Sequence, residues 1–190
     1  VLSTPSTVTA PWTEGTMVAP ATTYSNLTYS STDLLFVASG GTGVVATSPD
    51  GATWTSVVSG ETISLNGTGA TPEGVYFAGN GGILLRSSNL KTGTPPTFTR
   101  VLNPVANITF NALRSIDGNL YGVGGNDAIR VLDVNGVLTS VSSGTSGKAL
   151  WGIIKQASTY YVVGDGGTIL TSPNGAAPWT PIVSGNSGTN

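Results

Sequence analysis

Apolar residues along this chain fall in short runs separated by clusters of Gly, Asn, Asp, Ser and Thr. Leu35-Phe36-Val37-Ala38, Val75-Tyr76-Phe77-Ala78 and Tyr160-Tyr161-Val162-Val163 are four-residue runs of largely β-branched and aromatic character, the composition of buried strands. Each run is followed by a glycine-rich turn: Gly40-Gly41-Thr42-Gly43, Gly79-Asn80-Gly81-Gly82 or Gly164-Asp165-Gly166-Gly167. Such turns predict positive φ and a hairpin. A second apolar stretch comes next, then a turn at Asp50-Gly51, Asn89 or Asn174-Gly175, then a strand opening at Trp54, Phe98 or Trp179. Upstream of the runs lie Asn26-Leu27-Thr28-Tyr29, Phe110-Asn111-Ala112-Leu113 and Leu150-Trp151-Gly152-Ile153-Ile154. No window of 11 or more residues presents a helical apolar face, so the pattern predicts strands and tight turns throughout.

The pattern repeats. Gly166-Gly167-Thr168-Ile169-Leu170-Thr171-Ser172-Pro173-Asn174 aligns without gaps on Gly81-Gly82-Ile83-Leu84-Leu85-Arg86-Ser87-Ser88-Asn89. Val44 to Thr55 is a third copy, and Ala128 to Gly136 a fourth, degenerate one. The aromatics Phe36, Tyr76, Tyr121 and Tyr161 mark the four units, 40, 45 and 40 residues apart. Four strands per unit of this length is the spacing of a propeller blade. The fold expected is therefore an all-β propeller of about four four-stranded blades, with the N-terminal arm as a partial fifth element. The expected domains are an extended arm at 1–23 and a propeller at 24–190, with repeats at about 24–64, 65–106, 107–146 and 147–190.

Composition removes several alternatives. The 190 residues include 27 Gly and 11 Pro, no Cys and no His, and only 8% are charged, with a net charge of −2. The glycines have no three-residue period, so the chain is not collagen-like. Thiolate and imidazole metal ligands are missing, and no apolar run approaches the roughly 20 residues of a transmembrane helix. No basic cluster is present to bind nucleic acid. With 21 Ser and 28 Thr, the hydroxyl-rich, low-charge composition predicts an extracellular, cell-surface or virion-surface location. The chain opens at Val1 rather than Met, which predicts a processed or trimmed N-terminus.

Ser48-Pro49-Asp50-Gly51-Ala52-Thr53-Trp54 resembles a shortened Asp-box (BNR-type) repeat, and the preceding Gly-Gly-x-Ile-Leu-x-Ser pattern is similar to repeats of photosystem II assembly/stability-factor-like propellers. The resemblance covers residues 24–185. It implies a turn between the third and fourth strands of a blade, with Ser and Asp side chains bonding backbone groups and an aromatic packed beneath. It carries over to Ser48, Asp50, Gly51 and Trp54, and to Ser172, Asn174, Gly175 and Trp179. It is weaker at Ser87, Asn89 and Phe98, and only Asn135-Gly136 is retained in the third repeat. Three of the four acidic positions read as Asn, which supports an Asx-turn but supplies no carboxylate. A structural motif is therefore expected, and no catalytic residue, metal site or cofactor.

A sialidase-like reading needs an arginine cluster and paired acids. Only Arg114 of the four arginines falls near an innermost strand, and Glu14, Glu61 and Glu73 fall in loops or the arm. Trp54, Trp151 and Trp179 fit blade packing. Tyr24, Tyr29 and Tyr160 are candidates for a binding face, and Trp12 for pairing of the arm with a sheet edge, a neighbouring subunit's being favoured over its own. The function expected is a non-enzymatic structural or interaction module, self-associating or docking to a protein partner in a larger assembly. A carbohydrate-binding, lectin-like propeller is the alternative, and a sialidase-like glycosidase ranks third.

Overall fold

Each repeat forms one antiparallel sheet in which every strand pairs with its sequence neighbour. The computed structural model describes residues 16–18, 22–101 and 108–182. After β1 (Thr16–Val18), the first blade comprises β2 (Tyr24–Ser30), β3 (Leu35–Gly40), β4 (Val44–Ser48) and β5 (Thr53–Val58). The second comprises β6 (Gly67–Thr71), β7 (Gly74–Ala78), β8 (Leu84–Ser87) and β9 (Thr99–Arg100). In the third are β10 (Phe110–Ile116), β11 (Asn119–Gly124), β12 (Ala128–Leu132) and β13 (Leu138–Ser142). The fourth holds β14 (Leu150–Gln156), β15 (Thr159–Gly164), β16 (Thr168–Ser172) and β17 (Thr180–Pro181). This is an all-β propeller with four blades. Trp12 lies outside the described residues.

The arm corrects one expectation. Thr16–Val18 pairs in parallel with the chain's own β5, matching Thr16 to Thr53 and Val18 to Thr55. The outer edge of the first blade is thus covered from within the chain, which removes an unpaired ladder.

The core lies between blades. Side chains alternate faces along a strand, so every blade has a forward face toward its successor and a back face toward its predecessor. Leu35, Val37 and Val45 of the first blade meet Val75, Phe77 and Leu85 of the second. Tyr76, Ala78 and Leu84 on the other side of the second blade meet Leu113, Leu120 and Leu132. Tyr121, Val123 and Ile129 in turn meet Ile153, Tyr160, Val162 and Leu170. The innermost strands pack in succession, β2 on β6, β6 on β10 and β10 on β14. A polar relay accompanies them: Asn26 donates its side-chain amide to the Asn66 carbonyl, Asn66 to that of Phe110 (3.0 Å), and Asn111 to that of Leu150 (2.9 Å). Among the described residues the series does not return, since β14 and β2 share no contact of comparable extent. As far as the described residues go, the four blades form an open arc.

Two local readings change. Aligned on Gly40, Gly124 and Gly164, which end their strands, and on Gly79, which follows β7, the first-blade counterpart of Tyr76, Tyr121 and Tyr161 is Val37, not Phe36. A one-residue shift moves a side chain to the other face. Phe36 accordingly lies on the back face against Tyr29, with ring centroids 5.0 Å apart. The second blade has a full innermost strand, β6, where no apolar run announces one. Its sequence Gly-Thr-Gly-Ala-Thr suits a site of close approach. A Cβ on Gly67 would lie 2.5 Å from the Leu113 nitrogen, and one on Gly69 2.8 Å from Leu120 Cδ2.

Candidate interaction site

Antiparallel topology puts the turns between a blade's first and second strands at one end of the arc, together with those between its third and fourth. The motif residues sit at this end. In the β4–β5 turn the buried Ser48 hydroxyl donates to Asp50 Oδ1 (3.0 Å) and accepts from the Gly51 amide (2.9 Å). Asp50 Oδ1 also accepts from the amides of Ala52 (2.8 Å) and Thr53 (2.9 Å), and these bonds hold its carboxyl below the usual carboxylate range. Gly51 sits at φ +77°, where a side chain is strained, and Trp54 donates its indole N–H to the Gly51 carbonyl (3.1 Å).

Asn serves the same purpose elsewhere. In the β16–β17 turn, Ser172 donates to Asn174 Oδ1 (3.0 Å), which accepts from the Ala176 amide (3.0 Å), beside Gly175 at φ +75°. In the longer β8–β9 turn, Ser87 donates to Asn89 Oδ1 (3.3 Å), which accepts from the Thr97 amide (2.9 Å), and Phe98 packs on Phe77. The third blade departs from the expectation. Asp133, one residue past β12, accepts from the amides of Asn135 (2.9 Å) and Val137 (2.8 Å). Asn135 there donates a backbone amide to the turn, and Gly136 follows at φ +80°.

All six aspartates are engaged with their own surroundings. Asp33 accepts from Ser30 (2.8 Å). Asp127 receives the Thr145 hydroxyl and the amides of Gly147 and Lys148, and Asp165 receives the Ala149 amide and the Trp151 indole. These two fasten the linker into the fourth blade. Asp117 pairs with Lys155 and accepts from Tyr160. The arginines do not converge either. Arg86 donates to the Glu73 carbonyl, Arg100 to Glu61, Arg114 to Asn26 across the inner side of the arc (3.0 Å), and Arg130 to the Ile129 carbonyl. Among the described residues no three His, Cys, Asp or Glu side chains come together.

A groove of about 510 Å³ opens between the turn ends of β10 and β14. Arg114, Ser115, Ile116 and Asp117 line one side, and Ile153, Ile154, Lys155 and Ala157 the other. Ile154 is largely exposed. The groove therefore combines bare apolar surface with one free guanidinium edge and one ion pair, on strands held by the core beneath. Of the tyrosines expected at a binding face, Tyr29 is exposed and Tyr24 half-buried with its hydroxyl lacking a partner. Tyr160 is buried: its ring packs on Tyr121 at 5.2 Å and its hydroxyl is spent on Asp117. Trp179 is buried as expected of blade packing, whereas Trp151 is exposed. Ile116, Ile154 and Lys155 were not singled out by sequence; the paired ends of the Phe110 and Leu150 runs were the available signal.

The strand order, the inter-blade cores and the arc define a β-propeller, and comparison with solved structures agrees. YCF48 from Cyanidioschyzon merolae superposes with a TM-score of 0.63 at 17% identity, over 83% of this chain and 55% of that one. A structure of YCF48 bound to D1 peptide gives 0.64 at 15% identity, over 84% and 52%. The WD40 β-propeller domain of Doa1 gives 0.61 at 14%, over 80% and 52%. The chain thus resembles the photosystem II assembly-factor propeller in fold and spans about half the length of these structures. No protein family and no curated protein matches it in sequence.

Proposed function

We propose that this chain is a non-enzymatic protein-interaction propeller, working outside the cell or on the surface of a particle such as a virion. The observation that carries this reading is the β10–β14 groove, an apolar and charged recess on a rigid scaffold with no free acid–base pair beside it. Docking recesses of this composition suit peptide segments better than small polar substrates. One similar propeller was solved with a D1 peptide bound, which supports a polypeptide ligand. The location rests on the low charge and the abundance of Ser and Thr. The test is selection of a displayed random-peptide library on the immobilised 190-residue chain. Peptides are expected whose binding falls tenfold or more in Ser115→Arg and Lys155→Glu. Glycan-array binding lost in Tyr29→Ala or Trp151→Ala would replace this reading with a lectin, and hydrolysis of a fluorogenic sialoside with a glycosidase.

A further inference from the structure

The outermost strands of the four blades fill one shared register position in four different settings. The position is Ser56, Arg100, Ser140 and Pro181 in turn, opposite Ala46, Leu85, Arg130 and Leu170. Those four pair in turn with the residues two before Gly40, Gly79, Gly124 and Gly164. The backbone at this position faces away from the sheet. Val101 and Ile182, one residue further on, donate inward to the carbonyls of Leu84 and Ile169 (2.8 Å each), and successive residues of an antiparallel strand alternate in direction. An outward row of N–H and C=O groups invites another strand, and natural sheets guard it. In the first blade β1 runs along this edge, with Met17 opposite Trp54. In the second and fourth blades the outermost strand is two residues long, with a charge in one (Arg100) and a proline lacking an N–H in the other (Pro181). The third blade has none of these guards. Strand β13 is five residues long and pairs with β12 without a bulge, and residues 137–142 include no charge and no proline. Among the described residues nothing pairs with the outward groups of Leu138 and Ser140.

We propose that β13 accepts an extended, uncharged segment of a partner polypeptide as a fifth strand, laid parallel to it alongside residues 137–139. The chain makes this joint once already. Thr139-Ser140-Val141-Ser142-Ser143-Gly144 differs from Thr55-Ser56-Val57-Val58-Ser59-Gly60 only at Ser142. The two stretches also hold the same places in their sheets, Val141 lying opposite Ile129 as Val57 lies opposite Val45. Leu138 therefore stands where Trp54 does, at the centre of the pairing with β1. Thr16-Met17-Val18 is the pattern for the occupant, an uncharged run paired through its backbone. Because this chain's own strand of that kind is engaged on β5, a separate polypeptide supplies the second. Main-chain bonds give such an added strand its affinity and its side chains give selectivity. Val134 and Val137, 58% and 56% exposed in the turn that leads into β13, favour an apolar residue at that end of the occupant. The edge lies on the outer rim of the third blade, apart from the groove between the innermost strands β10 and β14, and the proposal does not depend on that groove.

Amide hydrogen exchange of the 190-residue chain, read by nuclear magnetic resonance, tests this residue by residue. In the free chain the Leu138 and Ser140 amides are expected to exchange fast, and the Trp54 amide, held by β1, slowly. A blocked synthetic peptide with the sequence of residues 15–20, at millimolar concentration, is expected to slow Leu138 and Ser140 about tenfold or more. Ser140→Pro places in the third blade the residue that the fourth already carries as Pro181. It is expected to keep the fold by circular dichroism and to lose the peptide's effect. Slowing confined to the outward amides of β13 in the parent supports the proposal even if Ser140→Pro does not fold. Leu138 and Ser140 amides already protected in the free chain would mean that the edge is covered from within, and would overturn it. So would exchange that the peptide leaves unchanged, slowing on another strand instead, or slowing that persists in folded Ser140→Pro.

Discussion

Gly124 ends the second strand of the third blade at a point where the backbone of the blade's entry passes against it. A Cβ built there would lie 1.9 Å from the Thr109 carbonyl oxygen and 3.0 Å from Phe110 Cα. The next amide, Gly125, donates to that same oxygen at 2.9 Å. In Gly124→Ala the carbonyl must retreat by more than about 1 Å, which breaks this bond and displaces the buried Phe110. The lost hydrogen bond costs about 1 kcal/mol and the overpacking about 1–3 kcal/mol, together about 3 kcal/mol. At ~2–4 °C per kcal/mol for a chain of this size, the melting temperature should fall by ~6–12 °C. Gly164→Ala, where the equivalent gap is 2.6 Å, should cost less. Gly152→Ala meets nothing nearer than Val163 Cγ2 at 3.5 Å and should be neutral or slightly stabilising. Thermal melts followed by circular dichroism, with urea titration as a second measure, decide the order. Gly124→Ala melting within ~2 °C of the parent, or Gly152→Ala losing as much as Gly124→Ala, would refute the close-approach reasoning.

Other outcomes follow from the same contacts. Ser48→Ala should cost about 1 kcal/mol by urea titration, because the Gly51 amide and the Asp50 carboxylate lose their bonds to the buried hydroxyl. Asp50→Asn should melt closer to the parent than Asp50→Ala, since Asn174 already accepts the equivalent bonds in the fourth blade. Val37→Ala should cost about 2–3 kcal/mol for a fully buried side chain, and Phe36→Ala less, because its ring is only half-buried. Stability should be flat from pH 5 to 8 in a chain without histidine and decline below about pH 4. Backbone amides hold the Asp50 carboxyl low and Lys155 does the same for Asp117. Burial pushes Asp127 up, but Thr145 and the Lys148 amide outweigh it. The unfolded chain therefore takes up these protons first, and stability falls as pH drops through the ordinary carboxylate range. A melt series from pH 2.5 to 8 checks this, and a steep change near pH 6.5 would contradict it.

The strand pairs were legible because Gly-rich turns and β-branched runs are local signals, and four copies in register made the blade count readable. What escaped was decided by contacts between blades. Gly67-Thr68-Gly69-Ala70-Thr71 carries no strand pattern; it is a strand because Leu113 and Leu120 leave room for nothing larger. Phe36 attracted the register by being aromatic, while the face assignment belonged to Val37. Asp133 stands one residue off the motif spacing, where only the shape of the turn shows it capping. Tyr160 and Trp151 differ in burial, though both lie in apolar runs, because Tyr160 packs against the third blade and Trp151 stands outside that cluster. Openness of the arc is likewise a property of curvature, which no repeat states on its own.

The account of the fold turns on whether the described blades form an open arc, and the absence of cysteine from the chain allows one direct measurement. A Leu27→Cys, Val163→Cys double variant, treated with a short bismaleimide and separated on a denaturing gel, reports whether those positions meet within one chain. The account predicts no internal cross-link, because both positions are exposed and their strands do not pack on one another. An internally cross-linked monomer would mean that the four blades close into a ring by themselves and would contradict it.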